Sequence, residues 1–312
     1  MSGKILVAGG SGFIGSTIVT ELWKAEKPVT VMSRHTPQAR QRLRGIEVDY
    51  IKGDIRDPKT LPKALRGVET VICCVQFPNH PVENPLKGYT YKKFDGEGTR
   101  NLVAAAKEAG VKRFIYLSGA GVREGRPNLA HEPWFRAKIT AERAIVDSGI
   151  PYTIFRPSWV YGREDRSLNK FISFARSLPF VPVIGNGRNR VQPLFIIDLA
   201  RVVTSALENP KAINRVYELG GPQILTMNEI VATILEVLEK RKRIVHQPKW
   251  LMKLASLPMK ILPAPPLSPQ AIDFITMEEL VDNSRVLEDF DVKLTPLKKA
   301  LATYLNPAES AL

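Results

Sequence analysis

A chain of 312 residues is long enough for one large α/β domain with a small appendage, or for two modest domains. Hydrophobic residues make up 44% of the sequence and charged residues 24%, a composition that excludes an intrinsically disordered protein. The formal net charge of +14 favours a polyanionic partner: a nucleotide, a nucleic acid, an anionic lipid or an acidic protein face. Which of these applies depends on where the charge lies along the chain.

The cysteines and the apolar runs bear on the cellular compartment. Cys73 and Cys74 are adjacent in an apolar run, so they are poor candidates for a structural disulfide, and no metal-ligand spacing is present. No apolar run reaches the roughly 18 to 20 residues that span a bilayer, and the N-terminus enters a strand and a glycine loop directly rather than a cleavable signal. We therefore expect a cytoplasmic protein without a bound metal, either soluble or peripheral on the inner face of a membrane.

The N-terminal stretch KILVAGGSGFIGSTIVTELWKA has the pattern of a strand, a glycine loop and a helix. A short apolar run ends at Ala8, and apolar residues then recur at helical spacing. Gly9, Gly12 and Gly15 suit a tight turn, a close approach of backbone N–H groups to a pyrophosphate, and close packing of helix on strand. The loop is therefore predicted to bind a dinucleotide. Its other predicted contacts with the cofactor are Ser11, Phe13 and Ile14.

The ends of the next two strand patterns indicate which dinucleotide binds. Ser33 and Arg34 stand where an NAD-preferring domain usually carries an acidic residue for the ribose 2′-hydroxyl. A guanidinium there suits a 2′-phosphate, so NADP(H) is favoured over NAD(H), unless Arg34 is one of several basic residues in a solvated segment, SRHTPQARQRLR. Asp54 and Ile55, after the third strand, are expected to border the adenine, although GDIRDP also fits a plain turn.

Strand and helix patterns alternate along the first half of the chain: VDYIKGDIRDP, VETVICCV, GTRNLVAAAKEAG and KRFIYLSGAG. Such alternation predicts an α/β, Rossmann-type fold with a doubly wound parallel sheet. Residues 1–160 are predicted to form the NADP(H)-binding core. Residues 161–312 are predicted to add the remaining core strands and a small, mostly helical C-terminal subdomain, built from about 162–192 and 222–285.

Seven stretches occur in an order that resembles a known superfamily. The glycine loop is followed by GDIRDP, GTRNLV, RFIYLSG, W-x-x-x-K, YTIFRPSWVYG and VQPLFIIDLA. Over nearly the whole chain this series resembles the atypical and extended short-chain dehydrogenase/reductases. The closing stretches RVYELGGPQILTMNEI and NSRVLEDFDVKLTPLKKAL are similar to the family of the nucleotide-binding accessory subunit of respiratory complex I (alpha subcomplex subunit 9) and its bacterial NAD(P)-binding relatives of epimerase/dehydratase type.

The resemblance implies a catalytic Y-x-x-x-K pair, of which this chain keeps only the lysine. In active members the lysine binds the nicotinamide ribose and lowers the pKa of the tyrosine, which exchanges the proton while hydride moves; the spacing places both side chains on one helix face. Lys138 matches the lysine, but Trp134 stands at the tyrosine position, and its indole N–H has no accessible acid-base equilibrium. The family's serine or threonine position falls on Gly119, while a shift of one residue would place Ser118 there. Lys138 and Ser118 are therefore the candidate catalytic residues, and Lys138 is also a predicted cofactor contact.

Three other side chains are candidates for the missing proton donor. His131 and Glu132 lie just before Trp134, and histidine is the side chain that titrates nearest neutral pH. Tyr161 follows RPSWV at the end of a predicted strand, near where such folds hold the nicotinamide. A lone histidine in a loop, however, is more often a surface residue. The sequence therefore favours a protein in which Lys138 still binds the cofactor but the family's tyrosine-dependent proton transfer is absent.

The second half of the chain is expected to build the other wall of the cleft. In extended relatives the region after RPSWVYG covers the substrate, and the basic loop GNGRNR resembles one that contacts nucleotide-sugar phosphates. Arg188 and Arg190 are predicted to clamp an anion by bidentate hydrogen bonds, or else are solvated loop charges. Tyr161 is assigned to the substrate side and Pro157 to the cofactor.

Residues 240–272 contain seven lysines and arginines but no aspartate or glutamate. Within them, PKWLMKLASLPMKILPAPPL mixes lysines with Trp250 and aliphatic residues. This mixture suits a helix in the headgroup region of an anionic bilayer, where each basic residue contributes about 1 kcal/mol. The alternative is a small helical subdomain over the cofactor cleft with its lysines extended into solvent, and the two can coexist. The segment is the predicted contact with a membrane or a membrane complex.

Together, the motifs favour an accessory, assembly or redox-sensing component of a membrane or respiratory complex. One alternative is an active NADP-dependent oxidoreductase, of reductase/dehydrogenase or epimerase/dehydratase type, that acts on an unknown small molecule with a non-standard proton donor. Another is an NADP-sensing regulator. Nucleic acid is not expected as a partner, because the sequence has no helix-turn-helix, zinc-finger or RNP-like signature.

Overall fold

The computed structural model describes residues 3–78, 83–122, 132–258 and 269–305. At its centre lies a sheet of parallel strands. They are β1 (Lys4–Ala8), β2 (Val29–Ser33), β3 (Asp49–Lys52), β4 (Val68–Cys73), β5 (Arg113–Leu117), β6 (Tyr152–Pro157) and β11 (Arg215–Leu219). Their spatial order is β11-β6-β5-β4-β1-β2-β3, and every neighbouring pair is parallel.

Helices flank this sheet and build most of the C-terminal subdomain. The α-helices within the described ranges are α1 (Phe13–Lys24), α2 (Thr36–Arg42), α3 (Leu61–Ala64), α4 (Thr99–Glu108), α5 (Pro133–Asp147), α6 (Leu168–Ser177), α7 (Ile196–Ser205), α8 (Met227–Val237), α9 (Lys249–Ser256), α10 (Pro269–Ile275), α11 (Ser284–Asp289) and α12 (Leu297–Leu305). A π-helix, Lys92–Gly98, runs directly into α4. None of the helices in these ranges is long and apolar enough to cross a bilayer.

Helices cover both faces of the sheet, which explains why the sequences of its central strands are continuous apolar runs. Alternate residues of β1 point to opposite faces, Val7 to one and Leu6 to the other. On the Val7 side the core is completed by α1 and α7, and on the Leu6 side by α4 and α5. The predicted doubly wound, Rossmann-type fold is therefore confirmed.

The C-terminal subdomain packs helices around short strand pairs. The pairs are β7 (Val160–Tyr161) with β10 (Leu194–Phe195), β8 (Phe180–Ile184) with β13 (Arg243–Gln247), and β9 (Arg190–Val191) with β12 (Leu225–Thr226). Its apolar core is formed mainly by α6, α8, α12 and β8. A capping box between Thr226 and Glu229 starts α8 by satisfying backbone groups at the helix end. The subdomain is mostly helical, as predicted.

The sheet order positions the site. Strands β2 and β4 lie on opposite sides of β1, so the connections after them diverge and leave a crevice at the carboxyl edge of the sheet. Apart from Lys138 on α5, the predicted cofactor residues end or follow β1, β2, β3 and β6, and Ser118 follows β5, so they lie along this edge. The predicted boundary at residue 160 falls inside β7, and β11 from the second half completes the sheet. The division into 1–160 and 161–312 remains a prediction.

Candidate functional site

The loop between β1 and α1 forms a cradle that requires glycine. Gly9 has a φ of +77°, in the left-handed region that favours glycine. A Cβ atom on Gly15 would lie 2.2 Å from the carbonyl oxygen of Gly9, so α1 packs against the end of β1 with no room for a side chain. Gly12 precedes α1 without a side-chain cap, and the amides of the first turn have no intrahelical acceptor. These amides and the positive end of the helix dipole fit a pyrophosphate. The loop and first turn also carry the predicted contacts Ser11, Phe13 and Ile14.

Two arginines meet beside the carboxyl ends of β2 and β3. The guanidinium carbon of Arg34 lies 5.6 Å from the centre of the Phe94 ring, and that of Arg56 lies 4.3 Å from the same centre. Arg56 also pairs with Asp54, with an Nη2–Oδ2 distance of 2.6 Å. The motif GDIRDP predicts a cofactor contact for Asp54, but it gives no signal for Arg56, two residues later. The edge of the crevice at Arg34 therefore carries a second cation.

The two predicted adenine contacts lie together at this edge. Burial of the Asp54 carboxyl acts to raise its pKa, but the hydrogen bonds and charge of Arg56 outweigh burial and hold the pKa below its usual value. Ile55 is buried, and its carbonyl oxygen accepts a hydrogen bond from Asn101 Nδ2 at 3.0 Å. Close by, the Ser33 hydroxyl accepts a hydrogen bond from that of Ser11 at 3.5 Å. The loops after β1, β2 and β3 thus form one continuous rim.

Lys138 is buried and paired with an aspartate that the sequence analysis missed. The lysine is 2% exposed and Asp95 is 0% exposed. Lys138 Nζ lies 3.0 Å from Asp95 Oδ1 and donates a hydrogen bond to the Leu117 carbonyl oxygen at 3.2 Å. Asp95 Oδ2 accepts a hydrogen bond from the Phe77 amide at 2.9 Å. The ammonium group is therefore fixed next to the segments that follow β4 and end β5.

The Lys138 side chain stays charged despite its burial. Burial alone would lower the pKa of Lys138, but the neighbouring Tyr116 and Asp95 oppose it and raise the pKa above its ordinary value. Lys138 Nζ lies 5.0 Å from the centre of the Tyr116 ring. Because burial also raises the pKa of Tyr116, that phenol is neutral at physiological pH. Asp95 therefore supplies the compensating negative charge.

Asp95 meets Lys138 through a π-helix. It belongs to the π-helix Lys92–Gly98, whose i→i+5 hydrogen bonds make a wider turn than those of an α-helix and which recur at functional sites. A Cβ atom on Gly96 would lie 3.6 Å from Ala137 Cα, so the wide turn packs closely against α5. The sequence KKFDGEG has no feature that distinguishes a π-helix from an α-helix. This is why Asp95 was not predicted.

The indole of Trp134 occupies the space beside Gly119. A Cβ atom on Gly119 would lie 2.5 Å from both Cη2 and Cζ2 of Trp134. The indole packs edge-on against Phe135, at a centroid distance of 4.6 Å. It also packs on an aromatic cluster formed by Phe77, Tyr89, Tyr91 and Phe94. A tryptophan at the tyrosine position and a glycine at the serine position are therefore complementary, because the indole occupies the place of a serine side chain.

Ser118 is engaged in a different network. Its hydroxyl donates a hydrogen bond to Glu142 Oε1 at 2.5 Å, and Arg156 donates to the same carboxylate at 2.6 and 3.1 Å. The hydroxyl is turned towards this pair, whereas Gly119 faces the indole of Trp134. The catalytic role of Ser118 stays a prediction, and the described contacts connect its hydroxyl to Glu142 rather than to Lys138.

The residues predicted near the nicotinamide and substrate are spread over two regions. Pro157 ends β6, and its carbonyl oxygen accepts a hydrogen bond from the Ala120 amide at 2.8 Å, at the carboxyl edge of the sheet. Tyr161 is fully buried in the apolar core of the subdomain, with its ring centre 5.7 Å from that of Phe195. His131 lies outside the described residues, and Glu132 is exposed. A substrate contact by Tyr161 remains a prediction.

The two arginines of the GNGRNR loop lie on the surface of the subdomain. Arg188 is exposed. Arg190 is also exposed and pairs with Glu278, with an Nε–Oε1 distance of 2.9 Å. That ion pair occupies part of the donor set that an anion clamp would need. The anion clamp therefore remains a prediction.

Glu279 is a further carboxyl group that sequence reasoning missed. Burial raises its pKa to about 7, although a hydrogen bond from the Trp159 amide opposes the rise. Its own amide donates a hydrogen bond to the Arg190 carbonyl oxygen at 3.0 Å. Trp159 follows the carboxyl end of β6, so the hydrogen bond to its amide brings the Glu279 carboxyl close to that end of the sheet.

Comparison with known proteins shows the family to which the chain belongs. Residues 9–178 match a family described as NAD(P)H-binding, over more than half of the chain. The chain belongs to this NAD(P)H-binding family. Subunit 9 of the NADH dehydrogenase [ubiquinone] 1 alpha subcomplex, a mitochondrial protein of Arabidopsis thaliana, is 28% identical over 308 residues, which cover 94% of this chain and 74% of that protein. The NAD(P)H azoreductase of Xenophilus azovorans is 30% identical over 237 residues, which cover 74% of this chain and 72% of that protein.

A solved structure shows the same fold as this NAD(P)H-binding chain. The UDP-glucuronic acid 4-epimerase of Bacillus cereus, solved in complex with NAD, gives a TM-score of 0.77 with 20% sequence identity, over 99% of this chain and 100% of that one. The predicted resemblance to complex I subunit 9 is confirmed by the Arabidopsis relative, and the solved epimerase structure confirms the predicted fold. The glycine cradle fits the NAD(P) cofactor of the family. Within the described ranges, no group of three His, Cys, Asp or Glu side chains could hold a metal ion, and both cysteines are free thiols.

Proposed function

We propose that this NAD(P)H-binding protein holds NADP(H) as a structural or sensing cofactor and does not turn it over by the short-chain dehydrogenase mechanism. The observation that carries this proposal is the packing of Trp134 on Gly119, which leaves neither a phenol nor a hydroxyl at the two acid-base positions. Asp95 supports it further. The buried carboxylate neutralises the Lys138 charge that would otherwise lower the pKa of a neighbouring phenol.

In this proposal, different residues of the chain bind different parts of the cofactor. The first turn of α1 and the glycine loop receive the pyrophosphate, and Arg34, with Arg56 beside it, receives the adenosine 2′-phosphate. Lys138 fixes the segments around the nicotinamide ribose through Leu117 and Asp95. When bound, the nicotinamide would supply hydride chemistry, and a proton donor at Trp134 would be missing.

The preference for NADP(H) is testable at Arg34. We expect Arg34→Glu to weaken NADPH binding relative to NADH by about ten- to a hundredfold, because charge-assisted hydrogen bonds contribute about 1.5–3 kcal/mol. Titration calorimetry with both cofactors measures the ratio. Arg40→Glu is the matched control, because it makes the same charge change on an exposed residue that stacks on Tyr50 at 4.4 Å instead. An unchanged ratio in Arg34→Glu would refute the 2′-phosphate assignment.

The proposed role is accessory, in assembly with or support of a membrane or respiratory complex, at the cytoplasmic side of a membrane. The subunit 9 relative, which matches 94% of this chain, supports this role. We expect the native protein, in lysate of its own source, to migrate on a non-denaturing gel with a large membrane complex and to remain there in moderate salt. Migration as a free species, together with substrate-dependent NADPH oxidation that Lys138→Ala abolishes, would contradict the proposal.

One alternative function has an observation in its favour. Glu279 has a pKa raised to about 7 and lies beside Trp159, close to the carboxyl end of β6, where a carboxyl group could replace the missing tyrosine as proton donor. The azoreductase relative is consistent with such an oxidoreductase. NADPH oxidation that Glu279→Gln abolishes would favour this alternative over the accessory role.

A further inference from the structure

Helix α9 carries an apolar surface that the rest of the described chain does not cover. Trp250 is 68% exposed, Leu254 58%, Leu257 46% and Leu251 45%. Trp250, Leu254 and Leu257 follow one another at spacings of four and three residues, so they share one side of the helix, and Leu251 adjoins them. We call these four side chains the docking face. Isolated apolar side chains are normal at a protein surface, but four on two turns of one helix are not.

The opposite side of α9 is the one that packs on the protein. Ser256 is buried, and Met252 and Lys253 are half-buried. Lys253 forms an ion pair with Asp273 of α10 at 2.7 Å, which attaches the two helices to each other. The helix is therefore held in place through one side while the docking face points away from the protein. Substitutions on the docking face are expected to leave the fold unchanged.

Basic residues lie on α9 itself and on a neighbouring loop. A Cβ atom on Gly185 would lie 3.2 Å from Lys249 Cε, so Lys249, at the first position of α9, lies against the loop that carries the exposed Arg188. The loop is connected to α10 as well, because Asn189 Nδ2 donates a hydrogen bond to the Ile275 carbonyl oxygen at 3.3 Å. Residues 240–272 contain no acidic side chain. The surface of α9 therefore combines exposed apolar groups with lysines, of which Lys253 is paired with Asp273.

We propose that the docking face of α9 lies in the headgroup region of an anionic lipid bilayer. This rests on the proposed peripheral association and identifies the surface that makes it. An exposed tryptophan and leucines with basic residues beside them are the composition of an interfacial helix. Four side chains on two helical turns are too few for a stable protein interface, which buries about 800 Å² on each partner. A bilayer needs only a few apolar anchors and adds about fivefold in affinity for each basic residue near its surface.

The test uses the full-length protein with bound NADPH and sedimentation with vesicles. We expect binding to phosphatidylglycerol–phosphatidylcholine vesicles, with weaker binding to pure phosphatidylcholine vesicles and in high salt. Leu254→Glu is expected to weaken binding by about ten- to a hundredfold, because one leucine side chain no longer enters the apolar layer. Leu287→Glu is the matched control, since Leu287 on α11 is 52% exposed and lies outside the docking face.

The tryptophan provides a second measurement. Vesicle binding should shift tryptophan fluorescence to shorter wavelength, and Trp250→Phe should remove most of that shift while it retains binding. Equal loss in Leu254→Glu and Leu287→Glu, or no binding to anionic vesicles, would overturn the proposal. So would docking-face variants that bind vesicles normally but lose a co-purifying protein, because the face would then be a protein interface. NADPH affinity should be unchanged in all these variants, so failure here leaves the proposed cofactor function standing.

Discussion

Asp95→Asn and Lys138→Met are each expected to lower the free energy of unfolding by about 3–5 kcal/mol, because either change leaves an uncompensated charge or donor in a buried site. The double variant is expected to lose less free energy of unfolding than the two single variants lose together. Both side chains are nearly inaccessible and are 3.0 Å apart, so water cannot replace the missing partner. Chemical denaturation of the four proteins measures the coupling free energy between the two residues.

An exposed ion pair provides the control for this cycle. Lys298 and Glu236 lie 2.7 Å apart, but both are more than half exposed, and such pairs contribute about 0–1 kcal/mol. Lys298→Met, the same substitution at the surface, should therefore change stability by less than about 1 kcal/mol. If Lys138→Met lowers the free energy of unfolding no more than Lys298→Met does, the buried pair does not stabilise the site.

The contact between Gly119 and Trp134 leads to the second prediction. Gly119→Ser alone is expected to destabilise the protein by about 1–3 kcal/mol, since its Cβ atom would lie 2.5 Å from the indole and the core would be overpacked. Addition of Trp134→Tyr removes that overlap and should recover most of the loss. The same double change restores a hydroxyl and a phenol beside Lys138. Positioned acid-base groups contribute roughly 10²- to 10⁴-fold to rate, so any NADPH-dependent reduction should increase in the double variant.

Thermal denaturation and an NADPH oxidation assay measure the two effects separately. The single variants serve as controls: Trp134→Tyr lacks the hydroxyl at 119, and Gly119→Ser lacks the phenol at 134. A double variant that is no more stable than Gly119→Ser would show that the two positions are not coupled. A phenol titration measured by ultraviolet absorbance reports whether the tyrosine introduced at 134 has a lowered pKa, independently of any substrate.

The fold and the cofactor loop could be predicted because their signals are local. Strand, glycine loop and helix follow one another within one short stretch, and the lack of space for a side chain at Gly15 arises from Gly9 and Gly10, a few residues before it. The loss of the tyrosine at Trp134 could also be inferred from the sequence, through the resemblance to the family's Y-x-x-x-K pattern. Such features depend on residue type and interval, which a sequence shows directly.

The partners of the site residues could not be predicted, because they come from distant segments. Asp95 meets Lys138 only through the packing of the π-helix on α5, and Glu279 approaches Trp159 only after the subdomain has folded onto the sheet. Gly119 and Trp134 were each identified as departures from the family pattern, but their contact requires the three-dimensional structure. Ser118 shows the same limit, since its orientation towards Glu142 depends on the facing of a strand end.

The π-helix has a consequence for tolerance to insertions and deletions. Each residue of an α-helix advances the chain by about 100° around the axis. Deletion of one residue between Asp95 and Gly98 would let this segment continue as a regular α-helix and would rotate everything before the deletion, Asp95 included, by that angle. The Asp95 carboxylate would then point away from Lys138, although no residue type at the site had changed. The charge balance of the site thus depends on the length of a segment as well as on its composition.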